Sequence, residues 1–119
     1  MADTTVTMRV RVINPKLSII DVVGDVTREA ETALMDAYAE APATTKVILF
    51  NFTGLEYMNS SGIGLIVMLL IRINRQKQHM LAYGLTEHYQ HIFELTRLSE
   101  AIGIYDSEAA AAAAAGALA

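Results

Sequence analysis

Apolar residues recur along this chain with two periods, and the changes of period mark its elements. From Val6 to Val12 the order Val-Thr-Met-Arg-Val-Arg-Val puts Val6, Met8, Val10 and Val12 on one side of an extended chain, as in a half-buried strand. Asn14-Pro15 predicts a turn, and the β-branched run Leu17 to Val23 a second strand. So short a gap favours an antiparallel hairpin. After Gly24-Asp25-Val26, Ala30, Ala33, Leu34, Ala37 and Tyr38 recur at helical spacing. Thr27 is a candidate N-cap for that helix, with Glu29 in its first turn, and Pro42 ends it. Lys46 to Phe52 is almost wholly apolar and predicts a central strand covered on both faces, broken by Thr53-Gly54. Leu55 to Met58 leads into Asn59-Ser60-Ser61-Gly62. From Ser61 a helix is expected to about Lys77, ending in the cations Arg72, Arg75 and Lys77. Its apolar stretch is nearly uninterrupted, which predicts burial on more than one side. His79 to Tyr83 is a short strand. Thr86 caps a helix from Glu87 to about Leu95, and Ala101 to Tyr105 makes a short edge strand. Ser107 caps a helix through Ala109–Ala115 that frays toward Gly116.

The resulting order, β-β-α-β-α-β-α-β-α, predicts an α/β fold: a mixed sheet of four to five strands joined by right-handed crossovers, with helices packed against it. A length of 119 residues suits one domain over 1–119, in which 108–119 form an alanine-rich C-terminal helix or frayed tail.

Composition narrows the function classes. With 53% hydrophobic and 18% charged residues the chain can bury a core. A formal net charge of -4 argues against a nucleic-acid partner, which calls for a basic patch. The absence of cysteine removes disulfides and thiolate chemistry. Met1 to Thr5 carries an acid and no apolar core, unlike a secretory signal. The longest apolar run, Ile63 to Ile71, falls short of the roughly 20 residues of a membrane span. A cytoplasmic protein without membrane insertion is the expectation.

The chemistry concentrates at Asn59-Ser60-Ser61-Gly62. A hydroxyl at a helix N-terminus lies where unpaired N–H groups and the helix dipole favour negative charge. Two readings fit the spacing: a serine that merely caps the helix, or one serine capping while the other stays exposed for modification. Elsewhere polar residues do not converge. His88 and His91 are three apart on the expected helix beside Glu87 and Glu94, but without a second ligand pair they read as a solvated face rather than a metal site. Gly62-x-Gly64 lacks the third glycine or Gly-Lys-Ser/Thr of a phosphate loop. The corner also lacks the first glycine of a Gly-x-Ser-x-Gly elbow. No catalytic residue, metal or cofactor is therefore expected. Met68 and Met80 are expected in the core.

The segment Val47-Ile48-Leu49-Phe50-Asn51-Phe52, then Leu55, then Tyr57-Met58-Asn59-Ser60-Ser61-Gly62-Ile63-Gly64, resembles the STAS domains of bacterial anti-sigma factor antagonists. That family carries a buried strand followed by Met-Asp-Ser-(Ser/Thr)-Gly-Leu-Gly. Gly24-Asp25-Val26, Phe93-Glu94-Leu95-Thr96-Arg97-Leu98 and Tyr105-Asp106-Ser107-Glu108 are similar to its outer motifs, in the same order. The resemblance implies a non-enzymatic switch in a partner-switching pathway that regulates transcription. An anti-sigma factor that is also a serine kinase binds the unmodified chain, phosphorylates Ser60 and so disables it; a serine phosphatase resets it. Asp25, Met58, Asn59, Ser60, Ser61, Gly62 and Ile63 would form the contact surface, and ATP would belong to the kinase. The sequence departs from the pattern at Asn59 and Thr27, where the family commonly has aspartate, and at Arg97, where it has glycine. The Gln76-Lys77-Gln78 loop also lacks the usual glycines. Two other roles remain open: an unphosphorylated accessory or scaffold subunit of a transporter or stress-signalling complex, and a small-ligand or nucleotide module. The oligomeric state is open too, a homodimer included.

Overall fold

The computed structural model describes residues 6–119; Met1 to Thr5, read above as unlike a secretory signal, lie outside the described residues. Strand β1 (Val6–Asn14) turns at Pro15 into β2 (Leu17–Val26). Helix α1 (Glu31–Glu40) follows, then β3 (Val47–Met58), α2 (Ser60–Arg75), β4 (His79–Tyr83), α3 (Glu87–Leu95), β5 (Gly103–Tyr105) and α4 (Glu108–Leu118). The strands form one sheet in the order β1-β2-β3-β4-β5. β1 pairs antiparallel with β2, and every later neighbour is parallel. This is the mixed α/β architecture that the alternation of periods predicts.

The sheet separates two cores. On one side α1, α2 and α3 cover Ile20, Val22, Ile48, Phe50, Phe52 and Met80, with Leu34, Ile66, Leu69, Ile73 and Phe93 supplied by the helices. On the other side the residues of opposite parity, Leu17, Ile19, Val47, Leu49, Leu81 and Tyr83, pack on Ala111 and Ala115 of α4. The unbroken apolar run of β3 follows from this double covering.

α4 carries almost no side-chain bulk, and its first turn is held by a polar network. Arg11 on β1 grips Asp21 on β2 in bidentate fashion, Nε to Oδ2 at 2.7 Å and Nη2 to Oδ1 at 2.8 Å. The same guanidinium reaches Glu108 Oε1 at 3.0 Å. Tyr83 donates its hydroxyl to Glu108 at 2.7 Å, and Asn51 donates to Asp21 at 2.8 Å. The Arg11 hydrogen bonds hold both carboxyl groups below their ordinary range, with Asn51 assisting at Asp21 and Tyr83 at Glu108. Burial, and then the bond to Glu108, pushes the Tyr83 phenol up to about 12. Polar residues therefore do converge away from the serine corner. Five different elements contribute to the cluster, so no local motif announces it.

Three details differ from the sequence reading. Thr53-Gly54 does not break β3, which continues to Met58. Register shifts between Asp21 and Val23 and between Gly24 and Asp25 absorb the irregularity. Gly54 is there for contact: a Cβ on it would lie 2.9 Å from Val23 Cγ2 and 3.0 Å from the Val22 carbonyl oxygen. Second, α2 buries a single stripe, Gly62, Leu65, Ile66, Leu69, Leu70 and Ile73. Met68 is exposed, whereas Met80 is buried. Third, Thr27 precedes a short 3-10 turn, Arg28–Ala30, without capping it by its side chain; its hydroxyl donates to Glu29 at 2.9 Å.

Candidate functional site

The parallel strands β2 and β3 end side by side, with Asp25 opposite Tyr57 and Val26 opposite Met58. Val26 and Met58 are buried. Alternation therefore turns Asp25 and Tyr57 to the other side, where Asp25 is half-buried and Tyr57 is 50% exposed. The Met58 N–H donates to the hydroxyl of Tyr89 on α3 at 2.9 Å. That bond ties the root of the corner to a helix some thirty positions away.

Asn59 is the N-cap of α2. Its backbone is extended, with φ -101° and ψ -176°, and its Oδ1 accepts the Gly62 N–H at 2.9 Å. Its carbonyl oxygen accepts the first helical bond, from Ile63 N–H, also at 2.9 Å. Asparagine is among the best capping residues, so the cap belongs to Asn59 and to neither serine. Ser60 and Ser61 occupy the first two helical positions, and both are exposed. Among the described residues neither hydroxyl makes a hydrogen bond. The aspartate of the family pattern would cap in the same way and add a charge; asparagine keeps the geometry without the charge.

Gly62 sets the depth of the corner. A Cβ on it would stand 2.0 Å from the Val26 carbonyl oxygen and 3.0 Å from Met58 Cγ, so the first turn of α2 rests directly on the end of β2. Of the residues expected at a contact surface, Ser60 and Ser61 are exposed, Asp25, Asn59 and Ile63 are half-buried, and Met58 and Gly62 are buried. The last two shape the corner from beneath and present no side chain in the free chain. The sequence reading passed over Tyr57, which strand parity counted back from Met58 identifies.

The local field also sets this helix apart. α1, α3 and α4 each begin with an acid in the first turn, Glu31, Glu87 and Glu108 respectively. α2 has none. No acid of its own first turn therefore offsets the N-terminal dipole at the turn that carries the two serines. Nearby, Glu29 is held below the ordinary carboxylate range by the Thr27 hydroxyl and by its own backbone N–H.

The remaining candidates lie apart. His88 and His91 are exposed on α3, His91 within 3.9 Å of Glu94. Among the described residues no group of three or more His, Cys, Asp or Glu is arranged to hold a metal. Nor is any helix among them long and apolar enough to cross a membrane.

A search of curated proteins gives no significant match. Among solved structures the fold is similar to the anti-sigma factor antagonist SpoIIAA in its unphosphorylated form, with a TM-score of 0.74 and 17% identity over 92% of this chain and 97% of that one. An anti-sigma factor antagonist from Mycobacterium paratuberculosis gives a TM-score of 0.76 and 16% identity over 97% of both chains. A sulfate transporter family protein from Wolinella succinogenes gives 0.73 and 17% over 91% of each chain. Residues 8–111 match the family model of the STAS domain. The chain belongs to the STAS domain family.

Proposed function

We propose that this STAS domain is an anti-sigma factor antagonist whose binding state is set by phosphate on Ser60. The observation that carries the reading is the division of labour at the start of α2. Asn59 does the capping, so both serine hydroxyls are exposed and, among the described residues, uncommitted, on the one α-helix among those described whose first turn lacks an acid. A phosphate brings about -1.5 to -2 charges at neutral pH. Next to a helix N-terminus whose first turn holds no acid that charge is accommodated, so the domain stays folded. What changes is the surface offered beside Tyr57 and Asp25. An anti-sigma factor that is also a serine kinase binds the bare corner, loses affinity after transfer, and regains it once a serine phosphatase removes the phosphate. ATP and the transfer chemistry belong to the kinase; this chain supplies an acceptor hydroxyl and a surface.

The test is phosphate transfer from ATP by the cognate kinase, mapped by mass spectrometry. Phosphate is expected on Ser60 and absent from Ser60→Ala. Phosphate on Ser61, or a Ser60→Ala chain labelled as well as wild type, sinks the assignment. Ser60→Asp is expected to weaken kinase binding about tenfold or more at an unchanged thermal midpoint.

The similarity to a sulfate transporter family protein supports a second reading, an accessory STAS domain in a membrane assembly. Stable co-purification with transporter subunits, insensitive to phosphatase, distinguishes it.

A further inference from the structure

A helix lying on a sheet needs one apolar face, and α2 has two. Its inner stripe is buried. On the opposite side Ser60, Gly64, Met68, Ile71 and Arg75 follow one another at helical spacing. Met68 is 39% and Ile71 49% exposed, and together with Arg72 and Arg75 they line a shallow cavity. Gly64 belongs to the same line, and a Cβ there would meet nothing within 4 Å. Packing within the chain thus gives no reason for a residue that weakens helices relative to alanine; a neighbour approaching from outside does.

The charge around this ridge runs against that of the whole chain. The net charge is -4, yet Arg72, Arg75 and Lys77 gather at this end of α2. Among the described residues neither Arg72 nor Arg75 is paired with a carboxylate. Arg72 lies 6.0 Å from the Tyr38 ring centroid, which places α1 alongside, and α1 exposes Glu31, Asp36 and Glu40. A flat anionic surface such as a lipid bilayer would meet those acids together with the arginines.

We propose that the outer face of α2, from Gly64 to Arg75, docks a partner protein helix that presents apolar residues flanked by acids. The bare backbone at Gly64 admits close approach beside Ser60, Met68 and Ile71 supply the apolar contact, and Arg72 and Arg75 pair with the partner's carboxylates. Ile71 lies eleven residues from Ser60, about 16 Å along the axis, beyond the screening length of about 8 Å at physiological salt. The Met68 to Arg75 part of this docking is therefore indifferent to phosphate on Ser60, whereas Gly64, one turn from it, lies within that length. The Met68 to Arg75 part supplies the affinity that modification does not remove. That the partner is the Ser60 kinase rests on the proposed function; the chemistry of the ridge does not.

The experiment titrates the isotopically labelled full chain with two synthetic amphipathic helices that share an apolar stripe and carry either glutamate or lysine flanks, and separately with phosphatidylserine-containing vesicles. The acidic helix is expected to shift the amides of residues 64–75, with affinity about tenfold weaker for Ile71→Glu and for Arg75→Glu, and within about threefold of wild type for Ser60→Asp. Each variant is first checked for native circular dichroism, and Ile71→Ser serves if Ile71→Glu does not fold. Equal binding of both peptides, shifts elsewhere, no binding, or a preference for vesicles overturns the proposal. With the kinase, Ile71→Glu is expected to raise KM about tenfold at unchanged kcat. A kinase that leaves Ser60 unmodified defeats the proposed function and leaves the peptide result standing.

Discussion

The serine corner and the α4 seam are both places where a helix starts against the sheet, and they spend their polar groups in opposite ways. At the seam, Arg11, Asp21, Asn51, Tyr83 and Glu108 are hydrogen-bonded to one another, and Ser107 caps the helix by accepting from Ala110. Little there is left over for a ligand. At the corner one asparagine does the capping, and two hydroxyls stand exposed to solvent without a partner among the described residues. Polar groups fully occupied with one another hold structure; polar groups placed firmly but left unoccupied are available for chemistry. The helix of the seam packs on the sheet through alanine, which brings little buried area of its own. The charges of the seam act as the fastener, whereas the corner is set in place by apolar packing and by one glycine.

The sharpest break of this comparison is Gly62→Ala. The added methyl collides with backbone, the Val26 carbonyl at 2.0 Å, and neither strand end can yield freely. A loss of about 3 kcal/mol is expected in denaturant unfolding, together with loss of partner binding. Wild-type stability would mean that the corner is not set by that contact. Next is Arg11→Ala at the seam, which leaves the Asp21 carboxylate to the Asn51 bond and to Arg9 at 3.7 Å. It is expected to cost about 2 kcal/mol and to raise amide exchange in α4 first. Acid has the same effect by another route. Asp21 and Glu108 have folded values below their unfolded ones, so their contribution is complete above the ordinary carboxylate value of about 4. It is lost as pH falls through the lowered folded values. The α4 amides are expected to lose protection in that acid range before those of β3; simultaneous loss would show the seam to be no separate fastener. The smallest effect separates cap from switch. Asn59→Ala is expected to cost about 1 kcal/mol, while Ser60→Ala and Ser61→Ala stay within about 0.5 kcal/mol of wild type. A Ser60→Ala loss as large as that of Asn59→Ala would return the serine to a capping role.

Most of the fold can be read from periodicity because the sheet imposes it. Strand residues alternate where one face is buried and run unbroken where both are, so β1 and β3 identify themselves. The expectation fails where a local rule meets a longer-range demand. Thr53-Gly54 reads as a break, yet the strand needs that glycine to pass close to Val22 and Val23. α2 reads as buried on several sides because hydropathy cannot tell a face turned to the core from one turned outward. The corner is legible as a motif, but its division of labour is not: Asn59 and Ser60 are both good capping residues, and only the backbone geometry decides between them. The two departures from family glycine carry visible consequences. Lys77 follows α2 with φ 58°, and Arg97 follows α3 with φ 65°, both in the left-handed region that side chains adopt at a cost. The Arg11 cluster was out of reach because its members are separated by up to 97 positions in sequence.

The bond from Met58 N–H to Tyr89 Oη gives the corner a built-in optical reporter. The chain has no tryptophan and five tyrosines, so its ultraviolet emission is tyrosine emission alone. Two of those rings bracket the corner: Tyr89 is hydrogen-bonded beneath it and Tyr57 is open to solvent beside it. Events at Ser60 are therefore readable without a label. A partner covering Tyr57 changes the quenchable fraction, and any lifting of α3 frees the Tyr89 hydroxyl.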